Sequence, residues 1–287
     1  MPELTAELIA DLPVPQDLDL SPDGRWVAYA LVPNSKKEEH PTAALWIAAT
    51  DGARPPRQFT PGTSEDRHPR WSPDCTHIAF LSDRAKRGTA QLYLIPADGG
   101  EARALTGTDN KKGVDQFAWS PGGGHIAFTS ADEPTAEDER REKERDDANV
   151  YGERWPYARL RLLSLATNEI ATLAAPAHHI AAFAWSPDGA ELAYLTLETP
   201  ALEFFAREVV VERISVAGGE PRTVCRLPRG VDSLTWSRDG HWLLYTASVG
   251  GMAQSSQAVY AVPVQGGEPR RIALGEESCA GGLQQPA

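Results

Sequence analysis

Short apolar runs bounded by turn residues recur along the chain, at 26–30, 78–81, 126–129, 192–195 and 243–246. They are rich in aromatic and aliphatic residues and too short for helices, so they predict strands. Ahead of each stands a near-copy of one polar phrase: Leu20-Ser21-Pro22-Asp23-Gly24, Trp71-Ser72-Pro73-Asp74-Cys75, Trp119-Ser120-Pro121-Gly122-Gly123, Trp185-Ser186-Pro187-Asp188-Gly189 and Trp236-Ser237-Arg238-Asp239-Gly240. In this phrase proline presets the first corner, Asp caps its own backbone and Gly tolerates a left-handed residue, so the phrase is a turn. The serines stand 51, 48, 66 and 51 residues apart. A period near fifty with strand-like flanks matches one blade of a propeller.

A second hairpin completes each unit. Residues 92–95 run through Asp98-Gly99-Gly100 into 102–106, 214–216 through Gly218-Gly219 into 221–224, and 259–262 through Gly266-Gly267 into 270–274. The first unit uses 45–47 with Asp51-Gly52, and the third uses 160–163 with Thr167-Asn168. Such turn pairs are strong hairpin signals. The prediction is an all-β, five-bladed β-propeller with four antiparallel strands, a to d, in each blade. One domain spans 1–287, with blades at 14–60, 64–106, 113–174, 179–226 and 230–274 and an irregular tail at 275–287. A lone four-stranded sheet cannot bury both faces, so the five must stack. Trp71, Trp119, Trp185 and Trp236 are placed to fill the space between neighbouring sheets. No strand is left over for a shared blade unless 7–12 supplies one, so the ring is expected to close by face packing or to stay partly open.

Alternating strand direction puts the a–b and c–d turns on one face and the b–c loops and d–a connections on the other. The second face carries the irregular sequence at 32–41, 82–88, 197–208 and 248–256, with a long insertion at 131–157. Binding residues concentrate where loops vary, so a ligand is expected there. The insertion has no apolar stripe but places Glu137/Arg141 and Glu139/Lys143 at helical spacing. It is either a solvated helical or disordered excursion or a flap over the ring's axis docked by Tyr151, Trp155 and Tyr157; Arg154, Trp155 and Tyr157 are its candidate ligand-binding residues. Five residues before each repeat serine stand Gln16, Arg67, Asp115, Ala181 and Asp232 on the innermost strands. Arg67, Asp115 and Asp232 either bind peptide termini at the channel mouth or hydrate the channel.

Forty acidic against 28 basic residues give a formal charge of −12, and no basic stripe is visible, which disfavours nucleic acid. No stretch approaches the length of a membrane span, and the start lacks the pattern of a secretory signal. The expectation is a cytoplasmic chain. Cys75, Cys225 and Cys279 have no paired spacing and read as free thiols. No G-x-S-x-G elbow occurs, the seven histidines are scattered, and the glycine pairs join strand to strand. No metal, cofactor or catalytic residue is therefore expected.

The repeat W-S-P-D-G-x-x-I-A-F followed by L-Y-x-I-x-x-D-G-G-x-x-x-x-L-T resembles the WD40-like repeats of TolB-type propellers and of the N-terminal propeller of the prolyl oligopeptidase (S9) peptidases. The opening Leu18-Asp-Leu-Ser-Pro-Asp-Gly24 and the stretch Tyr151-Gly-Glu-Arg-Trp-Pro-Tyr-Ala-Arg-Leu160 resemble the acylaminoacyl-peptidase-like branch most. That resemblance implies a propeller that filters peptide access to a hydrolase domain and contributes substrate contacts. This sequence departs from the family in having five repeats, where seven or eight are usual, and in offering no position that matches a triad residue. The expected role is a non-catalytic peptide- or protein-binding module, from a truncated peptidase or with a hydrolase domain in trans, with self-association through exposed blade edges. A TolB-like interaction scaffold is the alternative.

Overall fold

The computed structural model describes residues 5, 12–34, 40–146, 155–200, 208–227, 231–249 and 257–272. Among them the fold is all-β apart from one short helix: five four-stranded antiparallel sheets, as in a five-bladed propeller. The described chain divides into two compact units, Met1–Asp115 and Gln116–Pro286.

The first unit holds two sheets. One is β1 (Pro13–Leu20), β2 (Trp26–Pro33), β3 (Ala44–Ala49) and β4 (Arg57–Gln58); the other is β5 (Asp66–Trp71), β6 (His77–Ser82), β7 (Gln91–Pro96) and β8 (Arg103–Ala104). The second unit holds three. Blade three is β9 (Gln116–Trp119), β10 (His125–Ala131), β11 (Ala158–Ser164) and β12 (Ile170–Ala174), with helix α1 (Ala136–Glu144) between β10 and β11. Blade four is β13 (His179–Trp185), β14 (Glu191–Leu197), β15 (Val209–Ser215) and β16 (Arg222–Leu227). Blade five is β17 (Val231–Trp236), β18 (Trp242–Ser248), β19 (Gln257–Pro263) and β20 (Arg270–Arg271).

Within each unit the core lies between consecutive sheets. Trp71 packs with Ala28, Ile47, Phe80 and Tyr93. Trp185 packs with Ala127, Leu160 and Tyr194, and Trp236 with Val211, Leu234 and Tyr245. Two of these indoles also hydrogen-bond to the preceding sheet: Trp185 Nε1 donates to the Ala118 carbonyl at 3.2 Å and Trp236 Nε1 to the Ala184 carbonyl at 3.1 Å. The second strands are buried on both faces, as Ile78, Ala79 and Phe80 show. This explains why their sequence is a continuous apolar run instead of an alternating one.

The Ser-Pro-Asp-Gly phrase works as a side-chain lock. Ser21 Oγ donates to Asp23 Oδ1 at 2.6 Å and accepts the Trp26 N–H at 2.9 Å. Ser72/Asp74/His77, Ser186/Asp188/Glu191 and Ser237/Asp239/Trp242 repeat the same pair of bonds. The Ser72 and Thr76 hydroxyls hold the Asp74 carboxyl down at about 2. In blade three Gly122 replaces the aspartate, and Ser120 keeps only its bond from the His125 N–H, at 3.0 Å.

The outer strand of blade two is shorter than the sequence suggests, while that of blade four, expected at 221–224, runs over Arg222–Leu227. The fourth strand expected at 102–106 is confined to β8, and in blade one β4 has two residues. A threonine hydroxyl takes over the ladder at this point: Thr60 Oγ1 accepts the Leu45 N–H and Thr106 Oγ1 accepts the Leu92 N–H, each at 2.9 Å. The expected Glu137/Arg141 pair stays within charge reach, but each residue bonds another partner. Glu137 takes Arg140 at 2.6 Å and Arg141 takes Asp146 at 2.9 Å, while Thr135 and Asp138 cap the helix reciprocally. The tail at 275–287, the segment 7–11 and Cys279 lie outside the described residues. No described helix is long and apolar enough to cross a membrane.

Cys75 occupies the turn position that glycine holds in the other blades, at φ +60° beside +73° for Gly24 and +70° for Gly189. A Cβ in this region costs about 1–2 kcal/mol. Cys75→Gly is expected to raise the unfolding free energy by about 1 kcal/mol, read as a higher denaturant midpoint at unchanged slope.

Candidate functional site

One cluster of charge in the first unit lies where the first strands of blades one and two are irregular. Both strands break register, β1 between Gln16 and Asp19 and β5 between Arg67 and Arg70. Each break contains a non-glycine residue in the left-handed region, Asp17 at φ +54° and His68 at φ +56°. Bulges re-aim side chains, and residues held in this conformation mark places where the surroundings over-determine the backbone. The two irregularities face each other. Asp17 Oδ2 accepts the His68 N–H at 3.1 Å, and Asp17 Oδ1 lies 3.7 Å from His68 Nδ1. Two residues on, Asp19 Oδ2 accepts the Trp71 N–H at 2.7 Å.

This arrangement drives two neighbouring carboxyls in opposite directions. His68 beside it holds Asp17 below the usual carboxylate range, whereas burial pushes Asp19 up against the bond from Trp71 and the charge of Arg70. Arg70 is itself pulled down by burial and supported by Asp19 and then Asp17; its Nη1 donates to the Pro69 carbonyl at 2.7 Å. Of the residues expected from sequence, Arg67 and Asp115 belong to this unit and come within electrostatic reach of each other. Protein crowding raises the Asp115 carboxyl and the Arg67 charge offsets part of the rise. Arg67 keeps a buried Nε without a hydrogen-bond partner. The cluster is therefore a mixed one, able to meet an ammonium with Asp17 and a carboxylate with Arg67 or Arg70. Asp17, Asp19, His68 and Arg70 were missed because the repeat pattern singles out one position per strand, and a bulge inserts others beside it.

The loop after β6 braces β5 from behind. Asp66 is 1% exposed and takes the Ser82 hydroxyl at 2.5 Å and one Nη of Arg84 at 2.9 and 3.0 Å. The Arg84 guanidinium lies 5.1 Å from the Phe80 ring and 4.8 Å from the Tyr93 ring. Asp83, equally buried, accepts the Glu65 and Gly88 N–H groups and pairs with Arg87 at 2.6 Å; Arg87 also donates to the His40 and Pro41 carbonyls. The irregular segment at 82–88 is thus a rigid strut.

In the second unit the base of the insertion is clamped. Arg159 pairs with Asp132 through Nε at 2.9 Å, donates to the Pro176 carbonyl, and lies 5.3 Å over the Tyr157 ring. Asp132 N–H donates to the Tyr157 carbonyl at 3.1 Å, and the Ala158 N–H donates to His179 Nδ1 at 3.2 Å. Tyr157 is thus part of the anchor, and Trp155 is half-buried just before it. Arg154, Tyr151 and the side chain of Asp232 lie outside the described residues. Among the described residues no cluster of three metal-ligating side chains occurs.

Comparison with known proteins places this architecture. No family model matches. The uncharacterised peptidase YuxL of Bacillus subtilis is 34% identical over 207 residues, which is 67% of this chain and 31% of YuxL. The acylaminoacyl peptidase of Pyrococcus horikoshii superposes with a TM-score of 0.62 at 13% identity, over 92% of this chain and 40% of that one. These residues form a propeller of the S9 peptidase type. A TolB-type protein of Agrobacterium tumefaciens shares the fold, with a TM-score of 0.61 at 16% identity over 90% of this chain and 80% of its own. The S9-type propeller described here thus spans about a third of the length of YuxL.

Two predictions follow from the braces. Arg84→Ala leaves the buried Asp66 charge uncompensated and is expected to lower stability by about 3 kcal/mol in denaturant unfolding. His179 is held below its ordinary value of 6.5 by burial and then by the Arg159 charge. A group depressed in the fold binds fewer protons folded than unfolded. Its contribution is therefore complete above 6.5 and is lost as pH falls from there through the folded value. Stability measured down to about pH 5 should decline through this window. His179→Asn, which keeps an acceptor for Ala158 but does not titrate, should flatten that part of the profile.

Proposed function

We propose that this S9-type propeller is a non-catalytic module that binds peptide or an extended protein segment and limits its access to a hydrolase domain. The observation that carries this reading is the facing pair of irregular strands in the first unit, where Asp17 lies 3.7 Å from His68 and the Arg70 charge is within reach of Asp19 and Asp17. Peptide ends are charged, and the ionised groups here are fixed by backbone geometry before any ligand arrives, which lowers the ordering cost of binding. The match to S9 peptidases supports a peptidic ligand and a hydrolase domain as the functional partner. Arg67 and Asp115 extend the same surface, and the clamped insertion, with Trp155 and Tyr157 at its base, is its counterpart in the second unit. The strongly acidic composition argues against nucleic acid as ligand.

A TolB-like interaction scaffold is the second reading, favoured by the larger share of the TolB-type chain that is matched. Titration calorimetry with short peptides carrying free, N-acetylated or C-amidated ends separates the two. The proposed module binds free-ended peptides and loses about tenfold in affinity on blocking an end, or in Asp17→Asn and Arg67→Met variants of unchanged circular dichroism. Indifference to blocking, together with capture of a stoichiometric non-hydrolase partner, supports the scaffold. Incubation with acyl-aminoacyl and peptide chromogenic substrates is expected to give no turnover, and robust inhibitor-sensitive hydrolysis would overturn the non-catalytic role.

A further inference from the structure

A second cleft lies in the first unit at the turn ends of blades one and two, and Trp71 is shared between it and the charged first-strand cluster. Its volume is about 410 Å³, and Trp26, Ile47 and Trp71 line it beside Cys75, with Arg54 and Arg57 at the rim. The repeat supplies an internal comparison, because the corresponding cleft between blades four and five is only about 220 Å³. There Glu191 stands where blade one has Trp26, five residues after the turn serine, and Arg213 stands where it has Ile47. Glu191 and Arg213 form an ion pair at 2.8 Å that occupies the cleft. Blade one has replaced this pair with two apolar side chains.

Blade five shows how such a tryptophan is otherwise covered. Trp242 holds the position of Trp26, and Arg270, the fourth-strand residue equivalent to Arg57, lies 5.7 Å over its ring. In blade one Arg57 instead lies 5.1 Å over Phe59, so the Trp26 ring is left to the cleft. The acids at this cleft have duties in their turns. Asp23 is bonded by the Ser21 hydroxyl and the Arg25 N–H, and Asp98 opens the Asp-Gly hairpin. Arg54 and Arg57 are exposed and join no ion pair among the described residues. Two exposed guanidiniums, Arg54 and Arg57, therefore border the cleft beside the exposed carboxylate of Asp98, while Asp23 is held in its turn.

The geometry points to a binding site for a bulky apolar residue carrying a free carboxylate, the C-terminal residue of a peptide, with the side chain against Trp26 and Ile47 and the carboxylate met by Arg54 and Arg57. Apolar walls with a few convergent polar groups are the usual make-up of such a site, and guanidinium groups suit a carboxylate. The side chains assigned to this site are distinct from those of the charged first-strand cluster, which meets it only through the Trp71 N–H bonded to Asp19.

Cys75 is a built-in reporter, because its partly buried thiol lines the cleft. In a Cys225→Ser/Cys279→Ser background, the rate of Cys75 alkylation by iodoacetamide is measured with N-acetylphenylalanine, its amide and N-acetylargininamide as probes. Saturating N-acetylphenylalanine is expected to slow alkylation about fivefold, and the two uncharged-carboxyl probes are expected to do little. Arg54→Ala/Arg57→Ala should abolish protection without altering the circular dichroism. Trp26→Glu/Ile47→Arg, which copies the blade-four ion pair, should fill the cleft and abolish it too. Equal protection by acid and amide, or stronger protection by the arginine probe, overturns the assignment, as does an alkylation rate that no probe changes. The peptide-end calorimetry with Asp17→Asn reads a different surface, so either site can fail without the other.

Discussion

The whole structure depends on a sheet having two apolar faces and no means of covering either alone. A four-stranded antiparallel sheet whose second strand reads Ile-Ala-Phe buries side chains on both sides, and only a neighbouring sheet can exclude water from them. The indole at the end of the first strand meets this need twice. Its ring fills the gap between sheets, and in Trp185 and Trp236 its N–H is satisfied by a carbonyl of the preceding sheet. A plain hydrophobe would fill the same volume but would not fix how neighbouring first strands are aligned. Alanine at the matching second-strand position, buried in Ala28, Ala79, Ala127 and Ala193, leaves room for the approach.

Once packing is assigned to the sheets, the first strands are left to carry irregularity and charge. Where Asp17 and His68 break the ladder, the broken pairing is replaced by a side chain from one blade accepting a backbone N–H of the next. Asp19 and Trp71 repeat this bond two residues on. The groups that join these two blades are themselves ionisable, so their ionisation is coupled to how the blades are held. The rigid strut of Asp83, Arg84 and Arg87, which grips Asp66 of β5, supports this surface from a segment that has no regular secondary structure.

Differences between blades are as informative as their likeness. One register position holds Glu191 paired to Arg213, Trp242 under Arg270, or Trp26 with its ring left to a cleft. Repetition makes each blade a control for the others, so a departure that adds apolar surface and arginines at one cleft stands out against the ion pair that lines a smaller one.

The repeat was legible because turn chemistry and strand length are local: Pro, Asp and Gly act on their own backbone, and short apolar runs between them have no room to be helices. The ends of the outer strands were not, because Thr60 and Thr106 close them through hydroxyl bonds to residues 15 and 14 positions away. Of the expected site residues, Arg67 and Asp115 were expected at equivalent positions on their strands, and in the structure they lie within electrostatic reach of each other. Asp17, Asp19, His68 and Arg70 escaped notice for a physical reason. Bulges shift side chains out of the two-residue rhythm on which strand reading rests, and contacts spanning about fifty residues depend on how two sheets meet. The sequence by itself determined the number of blades, their turns and the wedge between them, since each follows from short-range sterics and burial. Only tertiary structure decided which charges stand together and which cleft is hollow, because those depend on the register of one sheet against the next.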